Sequence, residues 1–153
     1  MSPTDLDRAA RAAFDQCVGN PGVVVGVDVG GYTWCGPYGD ADADTPMSSQ
    51  TRLRIGSVTK TFTATVLLQL MQEEALSLDD AVSIYLPGVD DAITVRLLAT
   101  MRSGIADYTS DPELVARIIA DPTAPHDADE VIEAGLAAPR LFAPDAQFAY
   151  SNT

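Results

Sequence analysis

Residues 54–62 read RIGSVTKTF, and within them Ser57 and Lys60 stand three apart at the predicted start of a helix. A serine hydroxyl is a poor nucleophile at neutral pH. It becomes useful only with a base in hydrogen-bond reach and with donors for the oxyanion that follows attack. Three residues make about one helical turn, so Lys60 should hang beside Ser57 on the same face. At a helix N-terminus the serine oxygen also lies near the positive end of the dipole, which favours developing negative charge. That dipole and an apolar setting disfavour an ammonium, and so suit Lys60 to accepting a proton. The chain carries eight arginines and a single lysine, so the charge at 60 is not drawn from a lysine-rich surface. Spacing alone is weak: with nine serines in 153 residues, a lone lysine has a serine three places before it about 6% of the time. On spacing alone an N-cap serine followed by an exposed first-turn lysine is the favoured explanation of the pair.

A second constellation stands at Tyr150-Ser151-Asn152. In an extended segment residues i and i+2 point the same way, which would present a phenol able to relay a proton beside an amide able to orient a carbonyl. Taken singly, Tyr150 reads as a half-buried strand residue.

The elements that must position these groups follow from pattern. Thr4–Val18 has helical spacing of Leu6, Ala10, Ala13, Phe14 and Cys17, with Thr4 and Asp7 as a capping box and Gly19 as the stop. GVVVGVDV and YTWCGPY read as two antiparallel strands joined at Gly30-Gly31, and residues 40–49 read as a loop. KTFTATVLLQLMQEE is apolar nearly all round, which predicts a central, buried helix. Beyond it the signals are short and helical: Ser77 before LDDAVS, Thr94 before VRLLATM, Ser110-Asp111-Pro112 before ELVARIIA, and Asp127 with Glu130 around EVIEAGLAA. A two-stranded sheet is marginal without further strands, so the sheet reads as unfinished and the chain as truncated.

The 22 acidic residues against nine basic ones give a formal charge of −13, which favours solubility and argues against nucleic acid as a partner. No apolar run approaches the roughly 20 residues of a membrane span. MSPTDLDRAARAAF lacks the basic start and apolar stretch of a signal peptide, which leaves localisation open. Cys17 and Cys35 have no metal-ligand spacing, and two buried free thiols are expected over a disulfide. His126 is expected in a solvated loop, Ser103-Gly104 in a turn, and Trp34 in a core.

RIGSVTKTFTA, LSLDDAVSIYLPG, ITVRLLATMRSGIADYT and FAYSNT, in this order, resemble the serine β-lactamase and penicillin-binding-protein-like family, on the branch of class C β-lactamases, D-alanyl-D-alanine carboxypeptidases and related esterases. The resemblance implies an α+β fold. An N-terminal helix and hairpin (residues 1–55) would belong to an incomplete antiparallel sheet, and a mainly helical portion (56–153) would carry the S-x-x-K and Y-x-N motifs. It implies Ser57 as the acylated nucleophile, Lys60 as its proton partner, Tyr150 as a second general base and Asn152 as a substrate-positioning amide. Which of Lys60 and Tyr150 takes the serine proton stays open. The implied activity is hydrolysis of an amide, β-lactam or ester carbonyl through an acyl-enzyme. Its substrate would be a small molecule or peptide, D-Ala-D-Ala peptides among them, and no metal or organic cofactor is called for. The alternatives are a non-catalytic penicillin-binding or sensor module, or a small-ester esterase. The third motif, Lys-Thr-Gly or His-x-Gly, does not occur in the 153 residues, so these residues alone are expected to be inactive.

Overall fold

The structure, a computed structural model, describes residues 2–153, which fall into two compact units divided after Gly56. The first holds helix α1 (Pro3–Phe14) and strands β1 (Gly22–Val29), β2 (Tyr32–Asp42) and β3 (Thr45–Pro46) in the order β1-β2-β3. β1 and β2 pair antiparallel with Val29 opposite Tyr32, so Gly30-Gly31 forms the two-residue turn, both with positive φ as such a hairpin requires. Helix α1 is shorter than its periodicity suggested. Its capping box is Ser2 with Asp5 rather than Thr4 with Asp7, because Pro3 occupies the first helical position. Past Phe14 the amides of Gln16 and Cys17 turn back on Ala13 and Phe14, three residues earlier, which tightens the chain out of the helix before Gly19.

Tyr38 ties α1 to β2: it is buried, its ring stacks on Phe14 at 6.2 Å, and its hydroxyl donates to Asp7 Oδ1 at 2.9 Å. Burial first, and Asp7 second, push its pKa up. Residues 40–49 contain β3, which the polar composition hid; only two residues pair, across a bulge at Asp40/Asp42. Trp34 is half-buried. Cys17 and Cys35 are free but exposed, not buried, since one follows the helix end and the other points from the open face of β2.

The second unit holds α2 (Thr59–Gln72), α3 (Val95–Ala99), α4 (Pro112–Ala120) and α5 (Ala128–Ala137). Thr94, Asp111 and Asp127 cap α3, α4 and α5 as their sequences indicate, each side chain accepting from amides of the first turn. Glu130 does not join the cap; it pairs with Arg117 of α4. The expected helix after Ser77 is absent. Ser77 N–H donates to Asp80 Oδ2 and Ser77 Oγ accepts from Asp79 N–H, but the segment closes into turns and a single 3₁₀ turn at Val82–Ile84. Val82 N–H then donates to Ile93 O, and an Ala81–Thr94 bridge forms beside it. Ile93, fully buried, centres a core with Val82 and Val89, flanked by Val95, Leu98 and Ile105.

Helix α2 is not buried. None of its residues is; Phe62 and Leu68 are 63% and 60% exposed. Its apolar character all round is real, but only the stripe through Lys60, Leu67, Leu70 and Met71 is even partly covered within this chain.

Candidate active site

Ser57 sits in a 3₁₀ turn, Gly56–Val58, immediately before α2. The N-cap position belongs to Val58, which offers no side-chain cap, so Ser57 does not cap the helix. Its hydroxyl turns to Tyr150 instead, with Oγ and Oη 2.5 Å apart. Lys60, half-buried in the first turn of α2, donates from Nζ to Tyr150 Oη at 2.7 Å and to Asn152 Oδ1 at 2.9 Å. The same Nζ lies 4.7 Å from the centre of the Tyr150 ring. All four residues singled out by spacing are therefore in one hydrogen-bonded chain.

Tyr150 Oη stands between Ser57 Oγ and Lys60 Nζ. Its pKa is lowered, first by the hydrogen bond from Lys60 and second by that from Ser57; burial and the negative charge of Asp107 work the other way. A phenol held by an ammonium-type donor is eased toward phenolate, the form that accepts a proton. Lys60 reaches two acceptors at once, Tyr150 Oη and Asn152 Oδ1.

The Tyr150–Thr153 segment has no regular secondary structure, yet it is tightly held. Ala149 N–H donates to Met101 O, and Asn152 N–H and Nδ2 both donate to Asp107 Oδ2, at 3.1 and 2.8 Å. Thr153 Oγ1 donates to Ala106 O and accepts from Tyr108 N–H, both at 2.8 Å. The seat is thus the loop 101–108. Within it Gly104 has φ +77, and a Cβ there would stand 2.2 Å from Phe142 O. No other residue fits both demands. Leu141 N–H donates to Gly104 O, and Asp145, itself at φ 65, donates its N–H to Arg102 O while its carboxylate pairs with Arg102 at 2.6 Å. Gly135 of α5 is buried against the Thr153 side chain, where a Cβ would meet Cγ2 at 2.3 Å.

Asp107 is the residue the sequence did not single out. One carboxylate oxygen holds Asn152 and the other accepts from Thr109 N–H and Oγ1 at 2.9 and 2.8 Å. Burial pushes its pKa up, but these bonds outweigh it and hold the carboxyl below its usual value. The available signal was the stretch SGIADYT itself, which pattern presents only as turn chemistry. Beside Lys60 and Asn152 opens a cavity of about 330 Å³, walled mainly by Thr63, Ala64, Leu67, Leu98 and Met101. His126 is exposed and stands outside this group, as expected of a loop residue.

A family model described as Beta-lactamase matches residues 10–153. The chain belongs to the serine β-lactamase and penicillin-binding-protein-like family. It is 37% identical over 105 residues to the serine beta-lactamase-like protein LACTB, mitochondrial, of Homo sapiens, spanning 61% of this chain and 19% of the relative. It is 38% identical over 113 residues to a D-aminopeptidase of Brucella anthropi, spanning 67% and 21%. Among solved structures, a D-stereospecific amidohydrolase from Streptomyces sp. superposes with a TM-score of 0.80 at 35% identity, covering 99% of this chain and 46% of that one. The fold is accordingly the α+β fold of that family. The chain spans about a fifth of the length of the two relatives and less than half of the amidohydrolase. Among the described residues no helix is long and apolar enough to cross a membrane.

Proposed function

We propose that this chain carries the acylating half of a serine amidohydrolase, with Ser57 as nucleophile, Tyr150 as the immediate proton acceptor, Lys60 as the donor that holds Tyr150 ionised, and Asn152 as the amide that fixes Lys60 and offers its remaining N–H to the substrate. The supporting observation is the unbroken contact from Ser57 Oγ through Tyr150 Oη to Lys60 Nζ. Ser57 Oγ forms a bond to the carbonyl carbon as its proton passes to Tyr150 Oη. The scissile C–N or C–O bond then breaks, and the proton leaves with the amine or alcohol. Water attacks the resulting ester, releases the acid and restores the serine hydroxyl. Because the relatives include a D-aminopeptidase and a D-stereospecific amidohydrolase, amides and short peptides of D-amino acids are the substrates favoured over lactams and simple esters.

The reading includes that residues 1–153 act as part of a larger unit. Two observations support this: the chain spans 46% of the amidohydrolase, and α2 leaves Phe62, Val66 and Leu68 exposed. A second oxyanion donor supplied from outside these residues would be worth about 10² to 10³ in rate, so residues 1–153 alone should acylate slowly and turn over little. The test is release of p-nitroaniline from D- and L-alanine p-nitroanilide, with labelling by a fluorescent penicillin, in the parent and in Ser57→Ala. Turnover or labelling that survives the substitution sinks the assignment. Stoichiometric labelling of the whole protein without turnover would favour a penicillin-binding sensor instead.

A further inference from the structure

We infer that Asp107 is a positioning residue that sets which end of the Asn152 amide faces Lys60; this rests on the functional reading above. An amide side chain can be turned by 180° about its last bond with almost no change of shape, exchanging an acceptor for a donor. Here the two ends meet opposite partners. Oδ1 accepts from Lys60 Nζ at 2.9 Å, and Nδ2 donates to Asp107 Oδ2 at 2.8 Å. The flipped amide would set N–H against an amine that already donates, and an oxygen against a carboxylate, two repulsions in place of two bonds. The backbone N–H of Asn152 donates to the same Asp107 oxygen at 3.1 Å, so the carboxylate fixes the segment as well as the amide. Asp107 is in turn fixed by Thr109, through its other oxygen.

The consequence runs along the contact chain. With Oδ1 facing Lys60, Nζ is held where it also donates to Tyr150 Oη. One Nδ2 hydrogen is committed to Asp107, and the second stays free for a substrate oxygen. Without Asp107 the amide can turn, Lys60 loses one acceptor, and the population of sites with Nζ on Tyr150 falls. Asp107 touches none of the reacting atoms of this scheme; it positions Lys60 through its bonds to Asn152, while its charge works against the lowering of the Tyr150 pKa, so its removal slows labelling only through lost positioning.

The experiment exploits the presence of only two asparagines, Asn20 and Asn152. In the chain labelled selectively with ¹⁵N-asparagine, one Asn152 side-chain proton and its backbone proton should lie downfield and exchange slowly. Asp107→Ser keeps an oxygen for Thr109 N–H but is too short for Asn152; it should move both signals upfield and slow labelling of Ser57 by a fluorescent fluorophosphonate at least tenfold. That probe forms a P–O bond to Oγ and releases fluoride, so it needs no deacylation. Thr123→Ala, which removes the like hydroxyl bond to Asp121 away from the site, should leave the Asn152 signals in place and the labelling rate within twofold. Should Asp107→Ser not fold, the isosteric Asp107→Asn offers only a neutral acceptor and should still shift the Asn152 signals upfield. Asn152 signals unmoved by Asp107→Ser or Asp107→Asn, an equal shift in Thr123→Ala, or shifted signals with an unchanged labelling rate would each overturn the inference. Failure of the parent to label at all would count against Ser57 as nucleophile, while the resonances would still decide the orientation of Asn152.

Discussion

The two segments that meet at Ser57 and Tyr150 are built on opposite terms. Helix α2 is regular and repetitive, yet none of its residues is buried. The Tyr150–Thr153 segment has no repeating structure, yet Ser151 is buried and the backbone or side chain of each residue from Asn152 on is bonded to the loop 101–108. Helix α2 gets its shape from its own ladder and needs little else to place Lys60 one turn from Ser57. The second segment gets its shape from a partner loop in which Met101 adopts left-handed backbone, as does Asp145, which is bonded to that loop at Arg102. Positive φ in residues other than glycine carries a cost of order 1–3 kcal/mol each, so this loop holds its form only while its bonds are made. Precision on one side is local and on the other side borrowed.

Substitutions can break that contrast in order of expected effect. Tyr150→Phe removes the atom shared by both segments and should lower Ser57 acylation by roughly 10² to 10⁴, the range of a lost acid-base group, measured as the fluorophosphonate labelling rate. Gly104→Ala attacks the borrowed side alone. It places a methyl 2.2 Å from Phe142 O in left-handed backbone and should cost about 2 kcal/mol or more of stability, read by urea unfolding. The pH profile sharpens the comparison further. If Tyr150 accepts the serine proton as phenolate, labelling should rise with pH along a limb whose midpoint lies below the ordinary phenol value of about 10, because Lys60 lowers it. In Lys60→Gln the limb should move up toward 10; a limb that stays in place would assign the lowering to another group. Least affected should be α2's outer face. Leu68→Gln, at a 60% exposed position, should change the stability of residues 1–153 by no more than about 0.5 kcal/mol, whereas a larger loss would show that the helix is covered in solution.

Sequence spacing made the local half legible and the borrowed half only by its endpoints. The turn from Ser57 to Lys60 follows from helical geometry, and the caps at Thr94, Asp111 and Asp127 follow from side-chain chemistry within three residues. Tyr150 and Asn152 could be named as types, but what holds their segment, through Asn152 and Thr153, lies 45 to 47 residues upstream in Ala106, Asp107 and Tyr108. No short-range rule connects those positions. The same limit explains the errors. Ser77 Oγ accepts from Asp79 N–H as a cap does, but Val82 N–H bonds to Ile93 and no helix propagates. Helix α2 has the pattern of a buried helix because hydrophobicity reports what a surface can cover, and burial depends on whether a neighbour in these residues supplies the cover.

Gly135 shows how far that dependence reaches. A glycine inside a helix gives up about 1 kcal/mol relative to alanine, and here it lets α5 lie flat against Thr153. The methyl group that would strengthen α5 would wedge out the end of the segment that carries the phenol. A helix with no functional side chain thus acts as the anvil on which the site is set, and thermostabilising the helix by the most obvious substitution would loosen the chemistry.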